Sequence, residues 1–125
     1  MAGKKTKFGY DVAVQRIEKC MRSNGLSLDL SDLKLTTVPP EVWQLTELTN
    51  LSLSGNQLTA LPPEIGKLSM LTKFFVNGNQ LKALPPEIGY LSALTGLYLS
   101  DNKLAILPRE IGQLSALKVL NINGN

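Results

Sequence analysis

Leucine and asparagine positions recur along most of this chain at a fixed interval. Asparagine stands at 56, 79, 102 and 125, each 23 residues after the last. The same frame holds Leu51, Leu53, Leu58 and Leu61, then Phe74, Val76, Leu81 and Leu84, then Leu97, Leu99, Leu104 and Leu107. Self-similarity at this period predicts stacked units, none of which can bury its apolar face alone. Within each unit, Leu51-Ser52-Leu53 and Leu97-Tyr98-Leu99 alternate as a short strand does, leucines inward and the middle residue outward. The second half of each unit is a compact return, such as Leu61-Pro62-Pro63-Glu64-Ile65-Gly66. Proline opens a helical turn without losing a useful N–H, and glutamate suits its positive end. The glycine is expected to limit the turn to a short 3₁₀-like piece.

Before Gly25 the period changes. Tyr10, Val14, Ile17 and Met21 fall on one helical face beside Cys20. This predicts a capping helix over residues 10–24, started by Asp11, ended by a left-handed turn at Asn24-Gly25, and covering Leu28 and Leu30. Residues 1–9 are expected to form a flexible basic tail, and 25–125 a solenoid of about four and a half repeats.

Composition narrows the chemistry. The chain has no histidine and one cysteine, Cys20, so histidine-based catalysis and ordinary zinc sites are excluded within it, and no enzyme, cofactor or metal is expected. With no internal disulfide, no signal-like start and no long apolar run, a cytoplasmic setting without a membrane span is expected. Lys4, Lys5 and Lys7 carry the whole net charge of +3. The repeats are neutral and lack the basic stripe that nucleic acid demands, so no nucleic-acid partner is expected.

Asparagine at the end of each strand is expected to satisfy backbone groups of neighbouring rungs, with Leu33 departing from the pattern at the first unit. A file of Glu41, Glu64, Glu87 and Glu110 is expected to top the return turns. Stacking in register places Asp29, Ser52, Phe75, Tyr98 and Asn121 in one outward column. Phe75 belongs there because Phe74 occupies the leucine slot. Two aromatics side by side on an open, polar face mark the candidate partner-binding surface. Asn50 and Lys73 flank it on one side, Asn77, Ser100 and Asp101 on the other, and Gln57, Gln80 and Lys103 complete the patch. At the far end Leu117, Leu120 and Ile122 are expected to be open to water. A longer array, cover by another subunit, or end-to-end pairing would each explain them.

The unit written from Leu48 to Leu71 resembles the leucine-rich repeat family. Its Leu-Pro-x-Glu-Ile-Gly return resembles the intracellular Ras-group class, which includes Ras suppressor and Scribble-like scaffolds, plant intracellular Ras-group repeats and Roco arrays. The resemblance covers roughly residues 25–125. It implies an α/β solenoid: a right-handed arc with a parallel concave sheet and short helical or 3₁₀ turns outside. It also implies a non-catalytic protein-interaction module, a scaffold or adaptor holding a protein on the concave face, with Ras-like GTPase signalling as one setting. Two alternatives stay open: the regulatory or substrate-recruiting segment of a larger enzyme (a Roco GTPase or ubiquitin ligase), and an architectural subunit of a large complex.

Overall fold

The computed structural model describes residues 2–125, with side chains from Phe8 onward. One α-helix, α1 (Ala2–Ser23), precedes five three-residue strands: β1 (Ser27–Asp29), β2 (Asn50–Ser52), β3 (Lys73–Phe75), β4 (Gly96–Tyr98) and β5 (Val119–Asn121). The strands form one parallel sheet in chain order. Partners are 23 residues apart throughout, so Leu51 faces Phe74 and Phe74 faces Leu97. Four 3₁₀ turns, Pro40–Gln44, Pro63–Lys67, Pro86–Tyr90 and Arg109–Gln113, carry the chain back between strands. This is the expected solenoid, with a sheet on one side and tight turns on the other.

The core is the inward-pointing half of the repeat. Leu51, Leu53, Phe74, Val76, Leu97 and Leu99 are fully buried, as are Ile65 and Ile88 from the returns. Asn56, Asn79 and Asn102 are buried beside them at 6–7% exposure. Asn79 Nδ2 donates to Leu53 O and Val76 O at 3.0 Å, while its Oδ1 accepts from Leu58 N at 3.0 Å. Asn102 repeats the arrangement one rung later, with Leu81 N, Val76 O and Leu99 O. Each amide thus ties its own rung to the preceding one, and a buried amide needs all of these partners. Where Leu33 interrupts the ladder, the Oδ1 of Asn56 accepts from both Leu33 N and Leu35 N at 3.0 Å.

The return glycines do more than end a turn. Gly66 lies inside its 3₁₀ turn, and a Cβ there would come within 2.9 Å of Tyr90 Cδ2 and 3.2 Å of Glu87 O. Gly89 is likewise pressed by Glu110, 3.0 Å away. A bare Cα is what lets successive turns stack so closely.

The helix differs from its expected form. It runs Ala2–Ser23 and so includes the stretch expected as a separate tail, with Asp11 exposed within it rather than capping it. Residues 2–9 contain no proline to break the helix, and alanine and lysine favour it, though Gly3 and Gly9 each cost some helix propensity. The side chains of Lys4, Lys5 and Lys7 lie outside the described residues. The packed face is also rotated: Gly9, Ala13, Ile17 and Cys20 are buried, Tyr10 and Val14 half-buried, and Met21 exposed. Gly9 sets this rotation, because its Cα lies so close to the Leu33 carbonyl that any Cβ would overlap it. Asn24 takes the left-handed conformation (φ 51°), and Gly25 N closes the helix on Cys20 O at 2.9 Å. Helix α1 packs on β1 and Leu30 is fully buried. Burial pushes the Cys20 thiol above its ordinary pKa, and Sγ reaches Gly25 O at 3.4 Å, which makes it a core residue.

Asn79→Ala is expected to destabilise the chain by about 1–3 kcal/mol, because Leu53 O, Val76 O and Leu58 N lose their shared partner. Chemical denaturation monitored by circular dichroism measures this, and an unchanged midpoint would contradict the ladder's role.

Candidate functional site

The sheet's solvent face is built by the residues at the first and third positions of each strand. Register pairs Asp29 with Ser52, Ser52 with Phe75, Phe75 with Tyr98, and Tyr98 with Asn121. Phe75 and Tyr98 are both half-buried. Their rings stack with centroids 4.6 Å apart and planes inclined by 8°. That separation matches the spacing of adjacent strands, about 4.8 Å, so the rings stand as two consecutive rungs. They support one another while each stays partly exposed to solvent.

A parallel column runs Ser27, Asn50, Lys73, Gly96 and Val119. Gly96 is buried although it faces the open side, because Tyr98 and Lys73 lie over it. A Cβ at 96 would meet Tyr98 Cε2 at 2.9 Å, Tyr98 Oη at 3.0 Å and Lys73 Cδ at 3.2 Å. The bare glycine therefore lets the tyrosine fold back along its own strand and the lysine stem cross beside it. Gly96 was not among the expected site residues. Its signal was a glycine inside a strand, which often marks close approach by another group. Val119, 43% exposed, was also missed.

The remaining expected residues divide into two groups. Asn50, Lys73, Asn77, Ser100 and Asn121 are half-buried on or beside the strands. Asn77 Oδ1 accepts from Ser54 Oγ at 2.8 Å, and Asn121 Oδ1 accepts from Asn123 N at 3.1 Å. Asp101 is exposed in the left-handed conformation (φ 56°) at a position glycine holds in other rungs. Gln57, Gln80 and Lys103 are exposed but follow the ladder asparagines, beyond the strands, so they border the sheet. On the other border, Thr72 and Thr95 donate Oγ1 hydrogen bonds to Thr49 O (2.9 Å) and Thr72 O (3.0 Å). These threonines keep the 23-residue step and form a second, unanticipated ladder beside the sheet.

Electrostatically the face is mild. Hydrogen bonds from the Ser31 hydroxyl and N–H hold Asp29 below the usual carboxylate range. Among the described residues the one ion pair is Arg109 with Glu110, far from the rings in sequence, and no group of acidic or cysteine side chains could hold a metal. At the β5 edge Ile106, Leu120 and Ile122 are exposed. No described helix is long and apolar enough to cross a membrane.

Residues 26–125 match the family described as leucine-rich repeat region. The chain belongs to the leucine-rich repeat family. No curated protein matches the sequence. Among solved structures, a leucine-rich repeat protein of Leptospira interrogans is 36% identical with a TM-score of 0.74, covering 85% of this chain and 33% of that one. A plant peptide hormone receptor, RGFR1, solved in complex with RGF2, is 47% identical with a TM-score of 0.71, over 79% of this chain and 16% of its own. YopM from Yersinia enterocolitica is 29% identical with a TM-score of 0.69, over 92% and 24%. The chain thus spans a third or less of each. Leucine-rich repeat domains generally mediate protein–protein interaction and are typically non-catalytic.

The two adjacent phenylalanines separate core from surface. Phe74→Ala is expected to cost about 3–5 kcal/mol by opening a cavity in the core. Phe75→Ala with Tyr98→Ala is expected to cost less than Phe74→Ala: about 0.5–1.5 kcal/mol for the ring pair, plus the part of each half-buried side chain's area that is lost. Denaturation midpoints of the two variants check this ordering.

Proposed function

We propose that this chain is a non-catalytic module that holds a protein partner on its concave sheet, centred on Phe75 and Tyr98. The stacked, half-exposed rings carry the proposal. A half-buried aromatic pair amid Asn50, Ser52, Asn77 and Ser100 offers further apolar area to bury at low entropic cost, ringed by groups that both donate and accept hydrogen bonds. The neutral charge of the repeats favours a protein over nucleic acid. The complex of RGFR1 with RGF2 supports peptide or protein recognition by a related array. The Leu-Pro-x-Glu-Ile-Gly return favours the intracellular Ras-group class, and with it a cytoplasmic scaffold or adaptor role in Ras-like GTPase assemblies.

A second contact surface lies at the β5 edge, favoured by the exposed Ile106, Leu120 and Ile122. An apolar edge with an open strand suits another subunit or a further rung.

Affinity capture from cell lysate tests the main proposal, comparing the natural chain, the Phe75→Ala/Tyr98→Ala variant and a Tyr90→Ala control on the convex side. The expected result is at least one protein retained by the natural chain and the control but lost by the double variant, since truncating paired hot-spot aromatics costs about 2 kcal/mol or more. Equal capture by all three would overturn the concave assignment.

A further inference from the structure

Trp43 holds, in the first 3₁₀ turn, the place that Gly66 and Gly89 hold in the second and third. A Cβ at Gly66 would come within 3.2 Å of both Cβ and the carbonyl oxygen of Glu87, the glutamate of the next turn. By the same 23-residue step, the glutamate that follows Trp43 is Glu64. A turn cannot lie on an indole as closely as on a bare Cα. The first turn accordingly packs far more sparsely on the second than the later turns pack on one another. A groove of about 520 Å³ opens between the first two returns.

Val38, Pro40 and Trp43 line the groove from the first return, Leu61 and Pro62 from the second, and Tyr10 from α1. Trp43 is only 4% exposed. Its indole N–H has no acceptor among the described residues, yet no side-chain polar atom there is both sealed from water and unpartnered. The N–H therefore stays accessible, on a side chain that lines the groove. Thr36 and Thr59 add exposed hydroxyls. Glu64 is the one charged residue in the lining, with no ion pair among the described residues and no lysine or arginine beside it in the groove. Pro40 and Pro62 bring no N–H, and the N–H groups of Val42 and Ile65 are already bonded to Pro39 O and Pro62 O at 3.1 Å. The turns thus offer an incoming β-strand no regular ladder.

We propose that this groove, separate from the concave face, binds an extended proline-containing segment of a protein partner, with a basic residue beside its prolines. A polyproline II segment has no internal hydrogen bonds and a fully solvated backbone. Its carbonyls can accept from Trp43 Nε1–H and the threonine hydroxyls without any strand-like ladder. Tyr10, Pro40 and Pro62 supply the flat apolar surface against which proline rings pack, as in other aromatic-lined grooves that take such segments. A segment already stiff in its bound shape loses little freedom on docking. The lone carboxylate of Glu64 favours a basic flank over an acidic one.

Trp43 is the chain's one tryptophan, so its indole N–H gives a single nuclear magnetic resonance signal. The intact ¹⁵N-labelled chain is titrated with acetyl-Arg-Pro-Pro-Pro-Pro-Arg-amide, with a counterpart in which alanine replaces the prolines, and with one in which glutamate replaces the arginines. The first peptide is expected to shift the indole signal and the amides of Thr59, Leu61 and Glu64, and to bind about threefold or more tightly than either counterpart. Trp43→Phe is expected to weaken it by about three- to tenfold, the worth of one hydrogen bond. Glu64→Gln is expected to weaken it by about two- to fivefold, as for an exposed ion pair, with the remaining spectrum native. An unmoved indole signal at millimolar peptide, equal binding of either counterpart, or undiminished affinity in either variant would overturn the groove assignment. The Phe75→Ala/Tyr98→Ala variant is expected to bind the peptide as the natural chain does; loss of binding there would move the site to the concave face and overturn it equally.

Discussion

Everything in this molecule depends on each rung being hydrogen-bonded to the next in one register, with a buried side-chain amide fixing it. Asn79 reaches Leu53 O on the rung before and Val76 O on its own, while taking Leu58 N. The backbone repeats the tie independently, with Leu53 N on Phe75 O at 2.7 Å and Val76 N on Tyr98 O at 3.0 Å. A slip of a single residue would turn leucines outward and leave buried amides without partners at every rung. The columns on the solvent face inherit that precision, so neighbouring side chains there are positioned by a core they never touch.

The opposite wall of the solenoid obeys a related constraint. Strands are spaced by backbone hydrogen bonding, but the 3₁₀ turns are spaced by contact, and Gly66 and Gly89 bring them close enough for the next turn's backbone to lie on their Cα atoms. Tyr90 then covers Gly66 from outside while remaining exposed. The same device serves on the concave side at Gly96, beneath Tyr98 and Lys73. In both places an absent side chain on one rung makes room for a large one beside it.

The repeat, the inward leucines, the amide ladder and the outward placement of Phe75 and Tyr98 were legible in the sequence because each follows from a strict 23-residue step and strand alternation. Features set by one-off contacts were not. The helix was expected to begin near Asp11, yet it starts at Ala2 and turns a different face inward, since the close approach of Gly9 to Leu33 belongs to no period. Gly96 hides in the pattern because a glycine reads as weakness until the tyrosine lying on it is seen. The threonine ladder at 49, 72 and 95 kept the same step as the asparagines, but a half-exposed hydroxyl gives no apolar signal to draw notice. Membership of the family was legible from the repeat; a setting within the cell is a property of the assembly around it.

The start of the amide ladder carries a further consequence. Asn56 closes it by accepting two N–H groups, from Leu33 and Leu35, whereas Asn79 and Asn102 each take one from the rung before. Interior units are thus interchangeable in their bonding, and the first is not. Whole units could be gained or lost between the ladder's ends without disturbing how the array begins. Evolution would then have a ruler, adjustable in increments of one rung, for setting how far the aromatic pair stands from the helix that seals the chain's first layer.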